Sequence, residues 1–210
     1  MDIRSSIFGL LTVVLFYSCT TQPVVGQQPQ PEQYGVFTVD KGIYEVVYSA
    51  ELEQPLGLLY TSSNRPKNVD RGSMNFHKEP GYHTSDDADY YANIWDKGHL
   101  APAATFSDSM DNLQETFSYL NCALQHQDLN RYQWNYLEQQ ERVWDDTQDL
   151  VVYIELQFTD SVLPTGATLP SRFIKHIKFL KDNVYKCFDF PNEKPTKTWQ
   201  EYQVQHTHPQ

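Results

Sequence analysis

Cationic side chains are scarce: 16 Lys and Arg stand against 27 Asp and Glu, for a formal net charge of −11 in 210 residues. A field of that sign repels polyanions, so composition alone excludes a protein that holds nucleic acid by bulk charge. Cysteine is also sparse, with only Cys19, Cys122 and Cys187. That number excludes a small disulfide-stapled fold, and no Cys or His spacing forms a zinc motif. Long apolar runs are missing as well. The longest, "IFGLLTVVLFY" over 7–17, is too short for a membrane-spanning helix.

Aromatic residues are plentiful, with 14 Tyr, 11 Phe and 4 Trp, which supply a core for one domain of ordinary size. The N-terminal apolar run follows Arg4 and leads into small and polar residues, the layout of an export signal. Two processing routes fit it. "LFYSC" places Ser18 before Cys19 and resembles a bacterial lipobox, which would leave a lipoprotein tethered to the membrane through Cys19. Val24 and Gly26 instead offer small residues for simple cleavage before Gln27 and release of a secreted or periplasmic protein. The expected division is an export signal over 1–19, a Gln/Pro-rich tether over 20–38, a folded domain over 39–200 and a tail over 201–210. Cys122 and Cys187 either pair in an oxidising compartment or remain two buried thiols.

Strand signals appear in "IYEVVYSA" (43–50), "LGLLYTSS" (56–63), "LVVYIELQF" (150–158), "RFIKHIKFL" (172–180) and "VYKCFDF" (184–190). The last two join through a turn at Lys181–Asn183. Helices are expected over about 109–118, where Met110, Leu113, Phe117 and Leu120 fall at helical spacing, and over "LNRYQWNYLEQQERVWDD". In the second, Trp134, Leu137, Glu141 and Trp144 share one stripe, apolar but interrupted by an acid. Residues 64–93 are polar and aperiodic, a long surface excursion of the kind that carries sites. Strands and helices without βαβ alternation predict an α+β domain with a central antiparallel sheet flanked by helices. From Arg172 to Lys197 the chain is locally basic, with Lys175, Lys178, Lys181, Lys186 and Lys194 between them. This stretch is read as a basic or simply solvated face.

The chemistry concentrates in "DKGHLAPAATF" (96–106) and "LNRYQWNYLEQQER" (129–142). Together they resemble the DNA/RNA non-specific endonucleases, the ββα-metal group, whose signature is D-R-G-H followed by an Asn opening a helix of the form L-N-x-x-x-W-x-x-L-E. The His-to-Asn interval and the whole second segment are present without a gap. The resemblance covers about 43–190 and implies an exported phosphodiester hydrolase that cuts DNA and RNA with little sequence preference.

It further implies that His99 is the general base for the attacking water, a task suited to an imidazole that is neutral yet basic near pH 7. Asn130 would hold a hydrated Mg²⁺, or Mn²⁺, through its side-chain oxygen. Glu138 would position metal-bound water. Eight residues of regular helix advance roughly 12 Å, so Asn130 is expected before the regular helix or at a bend. Arg142 matches a family arginine near the phosphate and is also spaced for an ion pair with Glu138. Asn121 and Gln125 match residues supporting the metal waters, although Leu120 and Leu124 replace the family's Ser and Pro. Lys97 replaces the signature arginine, keeping its charge but losing the planar fork.

Asp96 is expected to hold local backbone or the neighbouring cation, and Arg71 to neutralise charge developing on the phosphate. Lys97, Arg131, Arg142 and the C-terminal basic stretch would line the groove for a DNA or RNA substrate. Two rival readings remain: a weakened relative that only binds nucleic acid or protein, and a phosphodiesterase for a smaller or lipid-linked substrate.

Overall fold

The computed structural model describes residues 33–205. The expected export signal, most of the tether and Cys19 lie outside them. Seven strands form one antiparallel sheet in the order β1-β2-β3-β6-β7-β8-β9. They are β1 (Val36–Asp40), β2 (Tyr44–Ser49), β3 (Gln54–Ser62), β6 (Leu150–Val162), β7 (Thr168–Phe179), β8 (Val184–Pro191) and β9 (Gln203–Val204). A second, two-stranded antiparallel sheet pairs β4 (Trp95–His99) with β5 (Cys122–His126). The helices are α1 (Met110–Thr116) and α2 (Asn135–Asp145). This is the α+β class that the residue pattern implied.

Alternation explains the large sheet. Along β6, Leu150, Val152 and Ile154 are fully buried while Val151, Tyr153 and Glu155 point the other way, with Tyr153 exposed. The buried set faces Leu58 and Tyr60 of β3 and Phe173 and Ile177 of β7 in one apolar core. Leu120 and Ala123, from the start of the small sheet, and Leu129, Trp134 and Leu137, from the helical segment, close the same core. The small sheet and α2 are therefore seated on the inner face of the large sheet, which fixes them relative to each other.

β1 and β9 carry the sheet beyond the limits of 39 and 200 read from composition. β1 is held by five paired positions with β2 in a hairpin, which a Gln- and Pro-rich flank does not advertise. Cys122 and Cys187 are free and buried, so the two-thiol alternative is the one realised. Burial pushes the Cys122 thiol up to about 12, which makes it inert at neutral pH. In α1, Leu113 and Phe117 are buried, as their spacing predicts, but Met110 is 52% exposed.

The basic C-terminal stretch does not act as one basic face. Arg172 is paired with Asp189, and Lys175 is fully buried against Glu141. Lys178 and Lys186 lie over the rings of Tyr185 and Trp144. Alternation accounts for Lys175: it stands between Phe173 and Ile177 on the inward-facing side of β7.

Candidate active site

β4 and β5 run antiparallel, and α1 lies within their connection. Their pairing sets Asp96 opposite Gln125 and His99 opposite Cys122. Gly98 makes the arrangement possible, because a Cβ there would lie 2.5 Å from Gln125 Oε1 and 2.7 Å from its Cβ. After β5 the chain enters a π-helical turn, Leu129–Trp134, before the regular α2. Asn130 thus sits in the irregular turn ahead of the helix, as the helix-rise argument requires, and π-turns commonly mark functional positions.

Two adjoining cavities open at this corner, of about 380 Å³ and about 280 Å³, and both are lined by Arg71, His99 and Asn130. Asp96, Lys97 and Phe76 line the first, and Glu138 and Asn135 the second. Six of the nine residues read from the sequence converge here: Arg71, Asp96, Lys97, His99, Asn130 and Glu138. Arg71 arrives from the long 64–93 excursion, which also supplies Phe76.

His99 is held by packing. Its ring centroid lies 4.8 Å from that of Phe76 and 4.9 Å from that of Phe117, the latter edge-on. Its carbonyl accepts a hydrogen bond from Trp134 Nε1 at 3.3 Å, tying the end of β4 to the π-turn. Its Nε2 is buried and has no protein partner. Burial, reinforced by the Arg71 charge, lowers the imidazole to about 3, so the ring is neutral across the physiological range. A neutral imidazole can take a proton at Nε2 in the tautomer that carries its N–H on Nδ1.

Asn130 Nδ2 donates to Asp96 Oδ2 at 3.0 Å. An ionised carboxylate only accepts, so this bond determines which end of the amide faces Asp96 and leaves the amide oxygen available as a hard ligand. Asp96 also accepts from Arg131 Nε and Nη2 at 2.8 and 2.7 Å. The cation that Asp96 holds is thus Arg131 and not the adjacent Lys97, and Arg131 also lines the second cavity. Asp96→Asn loses this orienting power and is expected to weaken divalent-metal affinity about 10- to 100-fold. A metal titration of the bound ion would show it, and an unchanged affinity would remove Asp96 from this role.

No group of three or more His, Cys, Asp or Glu among the described residues is arranged to hold a metal. A single amide oxygen with carboxylates nearby suits a hard divalent ion that keeps most of its own water, as Mg²⁺ does, and not a dedicated transition-metal cage. The residues present fit such an ion.

Burial raises the Glu138 carboxyl to about 7. Lys175 opposes this most strongly, the Glu141 charge adds to it, and Arg142 and the nearby Trp134 indole oppose it further. Because the folded value lies above the unfolded one, the contribution to stability is full below the ordinary carboxylate range and is lost as pH rises through about 7. Glu138→Gln is therefore expected to raise thermal stability at pH 8 by about 1–2 kcal/mol and not at pH 4, read from paired melting curves. Equal shifts at both pH values would contradict the assignment.

Lys97 occupies the signature arginine position but is not a free phosphate clamp. Its ammonium is ion-paired with Asp87, whose Oδ1 also accepts from Tyr119 OH at 2.5 Å. It lies over the rings of Tyr119, Phe76 and Tyr90 at 5.2, 5.6 and 5.7 Å. Arg71, by contrast, has no carboxylate partner among the described residues. Its guanidinium sits 5.0 Å over the Phe117 ring that also abuts His99. The cation free to meet a phosphate is Arg71.

Three expected residues are elsewhere. Asn121 is fully buried: its Oδ1 accepts from Ala101 N at 2.7 Å, and its Nδ2 donates to the Ala101 and Thr116 carbonyls, both at 2.9 Å. It pins the segment after His99 and has no polar atom left for metal water. Gln125 is buried against Gly98 with neither amide atom partnered and lines neither cavity. Arg142 forms no ion pair with Glu138 or any other described carboxylate, and its Nη1 is buried without a partner. The helical spacing brings the two residues near each other without bonding them.

Nothing in the residue pattern marks Asp87, Phe76 or Phe117 as site residues. Asp87 belongs to a run of acids that reads as surface loop, and the two phenylalanines read as core.

With this geometry in hand, the relatives fall into place. A model of the DNA/RNA non-specific endonucleases matches residues 31–209, and the chain belongs to that family. Mitochondrial endonuclease G of Bos taurus is 39% identical over 75 residues, covering 34% of this chain and 25% of the relative. A nuclease of Syncephalastrum racemosum is 36% identical over 115 residues, covering 51% of this chain and 35% of the relative. The matches thus span about a quarter to a third of those relatives' own lengths. A chain in a crystal structure of an EndoG/EndoGI complex superposes with a TM-score of 0.70 at 20% identity, covering 85% of this chain and 82% of that one, which shows a shared fold.

Proposed function

We propose that the protein is an exported, metal-dependent endonuclease that hydrolyses phosphodiester bonds in DNA and RNA with little sequence specificity. The observation that carries this reading is the convergence of an unpartnered neutral His99, a free Arg71 and an Asn130 oriented by Asp96 around one pair of cavities.

His99 takes the proton from the water that attacks phosphorus, and its Phe76–Phe117 clamp aims Nε2 without a protein competitor. Arg71 neutralises charge that builds on the phosphate oxygens. Asp96 holds the Asn130 amide by its nitrogen, and the amide oxygen would hold a hydrated Mg²⁺, with Mn²⁺ an acceptable substitute. When bound, the ion supplies Lewis-acid stabilisation of the phosphate and the leaving oxygen. Glu138 accepts hydrogen bonds from water on the second side of the cavity when ionised. With no bulk positive field, substrate contact is weak and local, suited to release of long polymers. Export rests on the N-terminal apolar run, and the small residue before Cys19 adds a lipid anchor as one route to the cell surface.

The test incubates the purified protein with closed circular plasmid and with RNA, in Mg²⁺ and in EDTA. Cleavage of both in Mg²⁺ alone is expected. A protein that binds either polymer and cuts neither would favour a binding module, a reading to which the Lys97–Asp87 pairing already points.

A further inference from the structure

The π-helical turn that carries Asn130 has a second open side. Asp128 and Tyr132, two residues to either side of Asn130, line a groove of about 280 Å³ with Gln133, Lys194 and Pro195. None of these residues lines the cavities at His99. Tyr132 is 51% exposed and Tyr136, one turn further on, is 44% exposed, with ring centroids 6.5 Å apart. Gln133 Oε1 accepts from the Trp199 amide at 2.9 Å, which fixes the side-chain amide and leaves its Nε2 as donor. The Lys194 side chain is 78% exposed, and its contact with Asp128 is 3.9 Å, too long for a hydrogen bond.

An exposed ring, an oriented amide and a mobile cation in one groove match the chemistry of an unpaired nucleotide: a face to stack, an edge to bond and a phosphate to neutralise. Asp128 and Tyr132 flank Asn130 on the π-helical turn and open on a different side from the His99 cavities, so a strand that reaches both passes around the turn. In a duplex the base faces are hidden by their neighbours, and the ring has nothing to stack on.

We propose that this groove is a base subsite for single-stranded nucleic acid, in which Tyr132 stacks a base removed from the scissile phosphate and Lys194 meets a backbone phosphate beside that base. The proposal rests on the nuclease reading for its register, and it makes the protein discriminate by strandedness instead of by sequence.

The experiment compares wild type, Tyr132→Ala, Tyr132→Phe and Lys194→Ala on a short labelled single strand and on the same sequence as duplex. Cleavage is followed in Mg²⁺, and binding by fluorescence anisotropy in EDTA. Tyr132→Ala is expected to raise KM and to weaken binding of the single strand about tenfold, with kcat and the duplex unchanged. Tyr132→Phe should behave as wild type, because stacking needs the ring and not the hydroxyl. Lys194→Ala should flatten the salt dependence of single-strand binding. Equal losses on single strand and duplex, or no loss on either, would overturn the subsite. If wild type binds the single strand and does not cut it, the nuclease reading fails while the Tyr132→Ala binding ratio still decides the subsite.

Discussion

Replacing His99 by alanine is expected to lower kcat for plasmid cleavage by about 10²–10⁴-fold, the range for loss of a positioned general base. KM should move little, because the ring is packed against Phe76 and Phe117 and is not the free cation of the site. The wild-type rate should also keep its imidazole in working form well below pH 6.5. Burial and Arg71 lower His99 to about 3, so protonation of this ring removes no activity between pH 5 and 8. NMR titration of the ring resonances checks this directly. A His99 that titrates near 6.5 would mean that the ring is more hydrated than its position in the cavity wall indicates.

The largest stability effect is expected far from the reacting atoms, at Lys175. Its ammonium donates to Glu141 Oε1 at 2.8 Å and lies 4.0 Å over the Trp134 ring, and Tyr60 OH donates to Glu141 Oε2 at 2.6 Å. Lys175 and Glu141 are both wholly buried. Lys175→Met removes the cation and strands an uncompensated carboxylate in the core, at a cost of about 3–5 kcal/mol. For a domain of this size, that lowers the melting temperature by about 10 °C. The double variant Lys175→Met with Glu141→Gln should recover much of the loss, because no buried charge remains. Lys178→Met, on the other face of the same strand, should change stability by less than about 0.5 kcal/mol. Thermal denaturation of the three variants beside wild type decides it, and a Lys175→Met variant as stable as wild type would show that the pair is solvated.

Much of the site was legible because its signals are local. D-K-G-H lies on one strand, and L-N-x-x-x-W-x-x-L-E spans one turn and one helix, so each spacing maps directly onto geometry. The rise of a regular helix even demanded the irregular turn at Asn130. The strands from Tyr44 to Ser62 and from Leu150 to Pro191 were legible for the same reason, through alternation within each segment.

What escaped depends on partners that local spacing does not reveal. Asp87 lies ten residues before Lys97, in an acidic stretch with no periodicity to show which acid turns inward, and its pairing with the ammonium occupies an apparent phosphate clamp. Asn121 and Gln125 carry the right side chains for binding water, but backbone groups and Gly98 surround them. Lys175 looked like surface charge because composition was read over a window in which neighbouring residues face opposite ways. Its place between Phe173 and Ile177 was the available signal, and the acid interrupting the apolar stripe of α2 was its partner.

The central claim, that His99 supplies the base for phosphodiester hydrolysis, is tested most directly by the rate of plasmid nicking by His99→Gly as imidazole is added. The predicted result is a variant that is nearly inactive alone, recovers in proportion to the neutral imidazole concentration and binds divalent metal as tightly as wild type. A His99→Gly protein that nicks plasmid at the wild-type rate without imidazole would contradict it.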